Sequence, residues 1–275
     1  MGMSIKTNIS SLEAQKNLMN TENALDSSLG KLSSGFRITK ASDDAAGLAI
    51  SVNLGAQIAS YGQAIRNAND ALNVIQTAES SMNESQNIIT RLRELASEAA
   101  SSGIGNTERG YIQNEVNALT SEIDRIANAT EYNGVSLINS SIALTFQVGI
   151  RNVALNDQIT VSTANATTAA LGLNGLSFTT LTGAEAALSI LDDAMQTISA
   201  ARATMGAQSN RMQSVINTAT TESVSLSAAQ SRIRDVDVAE ETSNLSRQQI
   251  LMQAGVSVLA QANQVPQAAL KLISG

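Results

Sequence analysis

The chain has no cysteine, no histidine, no tryptophan and a single proline in 275 residues. Without cysteine there is no disulfide, thiolate or Cys-ligated metal. Without histidine as well, Ser–His–Asp and Cys–His nucleophilic arrangements are excluded. No glycine-rich phosphate loop ending in Lys-Ser/Thr occurs, and "GIGNTERG" does not fit a dinucleotide fingerprint. Aromatic content is 2%, from three Phe and three Tyr, so large rings do not build the core. The net charge of −7 and the lack of any Lys/Arg-rich run argue against a nucleic-acid or membrane-surface partner. No run of about 20 apolar residues is present. "MGMSIKTNISSLEAQ" lacks the basic start and apolar centre of a secretory signal. The acidic pairs Asp43–Asp44 and Glu240–Glu241 read as helix-cap and solvated charges. No catalytic, cofactor-binding or metal site is expected.

What is there is helical periodicity. A single proline permits long uninterrupted helices. Ser10 with Glu13 predicts a capping box. Leu12, Leu18, Leu25, Leu29 and Leu32 follow, up to a stop at Gly35. "FRITKASDDAAG" is a connector, with Ser42 as the cap of the next helix. That helix carries Ile65, Ala68, Leu72, Ile75, Met82, Ile89, Leu92, Ala96 and Ala99 on one stripe, until "SSGIGN" breaks it. A shorter helix shows Ile112, Val116, Leu119, Ile123 and Ile126. The period then changes to two. Asn133-Gly134 predicts a tight turn. "SIALTFQVGI" alternates as a half-buried strand, with "NDQITVS" as its partner, in a β-rich patch reaching about residue 180.

Thr182 with Glu185 predicts a cap for the second long helix, striped by Leu188, Leu191, Met195, Ile198, Met205, Met212 and Ile216. Its methionines fit as core filler. The charged run Arg232, Arg234, Asp235, Asp237, Glu240 and Glu241 reads either as a solvated helix face or as a source of inter-subunit ion pairs. The last helix places Leu251, Val258, Val265 and Leu272 seven residues apart, a seam for partner helices. The fold class is mainly α: a long antiparallel helical bundle or coiled coil with a small β-hairpin region and paired N- and C-terminal helices. Expected domains are 1–41 and 236–275 as the two halves of an inner core, and 42–235 as an outer core whose β-rich part spans about 130–180. Two terminal helices zipped only to each other would be marginally stable, so their stripes call for further copies or another protein.

The stretches "SSGFRITKASDDAAG", "RNANDALNVIQTAE", "EIDRIANATEYNGVSLI" and "SVLAQANQVPQ" resemble bacterial flagellin, and the likeness covers nearly the whole chain. The family implies a structural subunit that polymerises into the helical flagellar filament for swimming. Its terminal helices pair in an inner tube, and its central helices and hairpin form an outer one. The chain looks like a short form without large projecting domains. The resemblance further implies export through the flagellar type III channel without a cleaved signal, an extracellular location, and an export chaperone, a filament cap and hook-junction proteins as partners. The polymer seam is expected at Leu12, Leu18, Leu25, Leu29, Leu32, Leu251, Val258, Val265 and Leu272. In "TRLRELASEAA", Arg91 and Leu95, together with Glu115, match the positions through which some flagellins dock with a Toll-like immune receptor. The plain reading of the same stretch is an amphipathic helix with Leu92, Leu95 and Ala96 inward. The alternative function is a hook–filament junction-type or adhesin-type secreted coiled-coil protein, which heteromeric capture without homopolymerisation would favour.

Overall fold

The computed structural model describes residues 7–274, with side chains from 7 to 264. Among these described residues six helices and four short strands follow one another. Helix α1 is Ile9–Ser34. Its cap is Asn8, whose side chain accepts from the Ser11 amide at 3.1 Å, and not the Ser10–Glu13 pair. Asn8 wins because its short amide reaches the open N–H groups from just outside the first turn. Gly35 ends the helix as the sequence predicts. Its φ of 74° is a left-handed conformation that suits glycine, and its N–H donates to the Lys31 carbonyl.

Helix α2 is Ala45–Ala99. Asp44, not Ser42, serves its first turn: the carboxylate accepts from the Gly47 amide at 2.8 Å, and its carbonyl accepts from Leu48 N–H. Asp43 instead folds the connector, accepting from Thr39 N–H, Thr39 hydroxyl and Lys40 N–H. Those bonds, the Lys40 amide foremost, hold its carboxyl below the usual range. Helix α3 is Asn106–Ala129.

Asn133 and Gly134 both take positive φ, 51° and 77°, the geometry of the predicted two-residue turn between β1 (Glu131–Tyr132) and β2 (Val135–Ser136). Strand β3 (Ala143–Gln147) pairs antiparallel with β4 (Gln158–Ser162), in register from Ala143↔Ser162 to Gln147↔Gln158. One helical turn, α4 (Ala154–Asp157), lies between them. The strands are shorter than the alternation in the sequence, and beyond Ser162 the chain runs through turns rather than further strand.

Helix α5 is Leu181–Arg234, opened by Thr180, which accepts from Gly183 N–H through its hydroxyl and from Ala184 N–H through its carbonyl. The Thr182–Glu185 box is therefore displaced by two residues, because Thr182 already lies inside the first turn. Helix α6 is Val238–Ser274.

The chain forms two compact units, Met1–Ala56 with Ser225–Gly275, and Gln57–Val224. The second has the larger core. There Val74, Ile75, Met82, Ile89, Leu92 and Ala96 of α2 are buried, as are Val116 and Ile123 of α3 and Leu191, Ile198, Met205 and Met212 of α5. Leu137, Ile138, Leu173 and Phe178 close it from the segments between the helices. Small residues (Ala68, Ala71, Ala78, Ala187, Ala194) alternate with long aliphatics in this core, so the helices interlock without aromatic bulk. In the first unit α1 and α6 run antiparallel: Asn8 Nδ2 donates to the Ala262 carbonyl, while at the other end Val236 N–H donates to the Gly35 carbonyl.

Candidate assembly surfaces

The seam of the terminal pair follows a heptad on both helices. On α1 the buried and half-buried positions Ser11, Ala14, Leu18, Thr21, Leu25, Ser28 and Leu32 keep the repeat, with half-buried Ala24 and Lys31 flanking it. On α6 Glu241, Leu245, Gln248, Met252, Gly255, Leu259 and Ala262 do the same, with half-buried Asn244 beside Leu245. Steps of three and four repeat without a slip. Small residues let the backbones approach. A Cβ placed on Gly255 would stand 3.2 Å from Leu18 Cδ1. The ends are fixed by polar bonds: Ser11 hydroxyl with Asn263 at 2.8 Å, and Asn8 with Ala262 at 2.8 Å. At the other end Arg37 N–H donates to the Arg234 carbonyl at 2.6 Å, and the Arg234 guanidinium lies 4.1 Å over the Phe36 ring.

The structure divides the expected seam residues into two sets. Leu18, Leu25 and Leu32 occupy the heptad between α1 and α6 and are half-buried. Leu12, Leu29, Leu251 and Val258 are 55%, 47%, 49% and 58% exposed. Val265 and Leu272 lie outside the residues whose side chains are described. Met19, exposed and seven residues after Leu12, extends the outward stripe on α1, as Val258 extends it from Leu251 on α6. A groove of about 240 Å3 opens beside the pair, walled by Leu18, Thr21, Leu251, Gly255 and Val258. The half-polar inner seam (Ser11, Thr21, Ser28, Gln248, Gly255) escaped sequence reasoning that followed large aliphatics. Its signal was there, as small residues repeating at heptad steps.

The charged run does not form one helix face. Asp235 pairs in an isolated bridge with Phe36. The Asp237 carboxylate caps α6, accepting from Ala239 and Glu240 N–H, and Glu241 is buried. The helix break after Arg234 frees Asp237 from a helix face to serve as the cap of α6.

In the Gln57–Val224 unit, Arg91 and Glu115 meet across α2 and α3. Arg91 Nε and Nη2 both donate to Glu115 Oε1 at 3.0 Å, and Nη1 donates to Glu94 at 3.1 Å. Its hydrogen bonds to Glu94 and Glu115 push the guanidinium pKa up. Leu95, 2% exposed, belongs to the core beneath, so its side chain is not part of that surface. Arg93 reaches α5 through Asp192 at 2.6 Å, and that bond holds the Asp192 carboxyl below its usual range. No group of three acidic or other ligating side chains able to hold a metal occurs among the described residues. Nor is any helix among them long and apolar enough to cross a membrane.

Residues 5–143 match the family model of the bacterial flagellin N-terminal helical region, and residues 188–273 that of the flagellin C-terminal helical region. The chain is 37% identical to the flagellin of Bacillus subtilis (strain 168) over 98% of its length and 100% of that protein's. It is 36% identical to a flagellar filament 33 kDa core protein of Treponema phagedenis, over 98% and 100%. A solved structure from Vibrio parahaemolyticus assigned to the flagellar hook-associated proteins superposes with a TM-score of 0.60, over 70% of this chain and 100% of that one. At 14% identity that likeness speaks for the fold alone.

Proposed function

The chain belongs to the bacterial flagellins, structural subunits of the flagellar filament, and from that premise we propose how its surfaces build the polymer. The observation that carries the proposal is the outward stripe on the terminal pair. Leu12 and Leu29 on α1 and Leu251 and Val258 on α6 are apolar, exposed and set at helical spacing. Neighbouring subunits cover them. Val265 and Leu272 continue the same sevens in sequence. Such contacts join unlike patches on successive copies, so they propagate as a helix and do not close. Each leucine or valine withdrawn from water contributes about 1.5–3 kcal/mol. Leu18, Leu25 and Leu32 hold α1 to α6 within each subunit. Residues 1–41 and 236–275 make the inner layer of the filament and 42–235 the outer one. The filament is extracellular, its subunits leave by type III export, and an export chaperone, a filament cap and hook-junction proteins bind the chain on the way.

The test is polymerisation of the purified full chain, followed by negative-stain electron microscopy. Leu251→Glu with Val258→Glu should abolish filaments while leaving the far-ultraviolet dichroism of the monomer intact, because both positions are exposed. Filaments from that variant at the wild-type critical concentration would remove the seam assignment.

The Arg91–Glu115 pair supports a second reading, as the polar part of an immune-receptor contact that Leu95 positions from beneath. A receptor-reporter assay on monomer should lose its signal with Arg91→Ala. A wild-type chain without signal rejects the reading.

A further inference from the structure

The loop between β3 and β4 is built to hold one leucine in water. The Asp157 carbonyl accepts from Val148 N–H at 2.7 Å and from Gly149 N–H at 2.9 Å, and its carboxylate accepts from Val153 N–H at 3.1 Å. Gln147 Nε2 donates to the Gly149 and Arg151 carbonyls at 3.0 and 2.8 Å. Below, Asn67 of α2 donates to the Gln147 carbonyl at 2.8 Å, so the hairpin base is fixed. At the top of this rigid loop Leu155 is 91% exposed, the most exposed large apolar side chain among the described residues. A chain that orders a loop with these bonds and sets a bare leucine on it presents a preorganised anchor, since little entropy remains to be lost on docking.

The same unit contains an apolar hollow of about 470 Å3, walled by Val74, Tyr132, Val135, Leu144 and Phe146, with Asp70 on its rim. Beside the anchor stands Arg151. Among the described residues, neither the Arg151 guanidinium nor the Asp70 carboxylate has an ion-pair partner. Anchor and hollow are thus both apolar and carry unpaired charges of opposite sign at their edges.

We infer that Leu155 of one subunit docks into the Val74–Tyr132–Phe146 hollow of a second copy, with Arg151 facing Asp70. The contact rests on the filament reading and adds to it. It lies outside the terminal helices, on the hairpin unit, and each copy offers an anchor to one neighbour and a hollow to another. A contact of that kind is heterologous and propagates along a row of subunits.

The chain lacks cysteine, so introduced thiols report without background. Ala154→Cys and Val135→Cys, placed together in the full chain, leave Leu155 intact. Filaments of this variant treated with a short bis-maleimide should give a ladder of dimers, trimers and higher multimers after denaturation. Each single cysteine should give none. Dimers without a ladder would mean a closed two-fold contact, and cross-linked monomer a contact within one chain; either overturns the inference. So do filaments that yield no cross-link. In parallel, Arg151→Glu and Asp70→Arg should each raise the critical concentration about fivefold, and the pair together should return it towards wild type. Equal, additive losses in the double variant would also overturn the contact. Failure of the wild type itself to form filaments would instead strike the filament reading, a result distinct from all of these.

Discussion

Gly255 is a point of close approach in the terminal pair. With Leu18 Cδ1 3.2 Å from where its Cβ would lie, a large side chain cannot enter without parting the helices. Gly255→Leu should destabilise the α1–α6 pair by about 1–3 kcal/mol, and Leu18→Ala in the same chain should recover part of the loss. Thermal melts of the four chains of this cycle measure the coupling; strictly additive effects would refute the close approach. At Asp192, the bond from Arg93 holds the carboxyl pKa below its unfolded value. A depressed carboxylate contributes stability that is present above the unfolded pKa, about 4, and lost as pH falls through the lower folded value. Both partners are exposed, so the effect is small. Asp192→Asn should lower the urea midpoint slightly at pH 7, where the carboxylate is charged and paired, and the difference from wild type should vanish as pH falls well below about 4. The caps show where residue-level reading stopped short. Ser10, Ser42 and Thr182 were each expected to cap, yet Asn8, Asp44 and Thr180 do so. Several short polar side chains stand near every helix start, and the choice among them depends on where the backbone leaves the helix, which tertiary packing decides.

Among the elements, the core stripes of α2, α3 and α5 were plain in the sequence, because burial between helices imposes a strict repeat of threes and fours. Ile75, Met82, Ile89, Leu92, Val116, Ile123, Leu191, Ile198, Met205 and Met212 are all buried as that repeat requires. Ile123→Ala, in the middle of α3, should therefore cost about 2–5 kcal/mol, read as a lower urea midpoint for the monomer. A cost under about 0.5 kcal/mol would contradict the placement of α3 against α2 and α5. The Asn133-Gly134 turn was equally legible, since two successive positive φ values leave few residue choices. Gly134→Val should cost about 1–2 kcal/mol at that hairpin. The seam of the terminal pair was the harder case. Half of its positions are Ser, Ala, Thr, Gly or Gln, so a search for large aliphatics finds Leu18, Leu25 and Leu32 and passes over the small and polar positions between them.

For the molecule as a whole, this contrast in composition separates two levels of stability. The Gln57–Val224 unit seals long aliphatics, whereas the terminal pair joins through small and polar residues and leaves Leu12, Leu29, Leu251 and Val258 in water. In a dilute monomer, amides of α1 and of Val238–Gln264 should exchange at least about a hundredfold faster than those around Ile75 and Ile198. In filaments the difference should close. Equal protection in the monomer would mean that the pair is stable alone and that its outward stripe is not what orders it.

The bond from Asn8 to the Ala262 carbonyl joins positions 254 residues apart. During synthesis, then, α1 is made long before its mate. Until residues 238–262 have left the ribosome, α1 has nothing to zip onto, and a nascent chain short of them carries no complete docking surface. Growth by half-made subunits is barred by the order of the sequence itself.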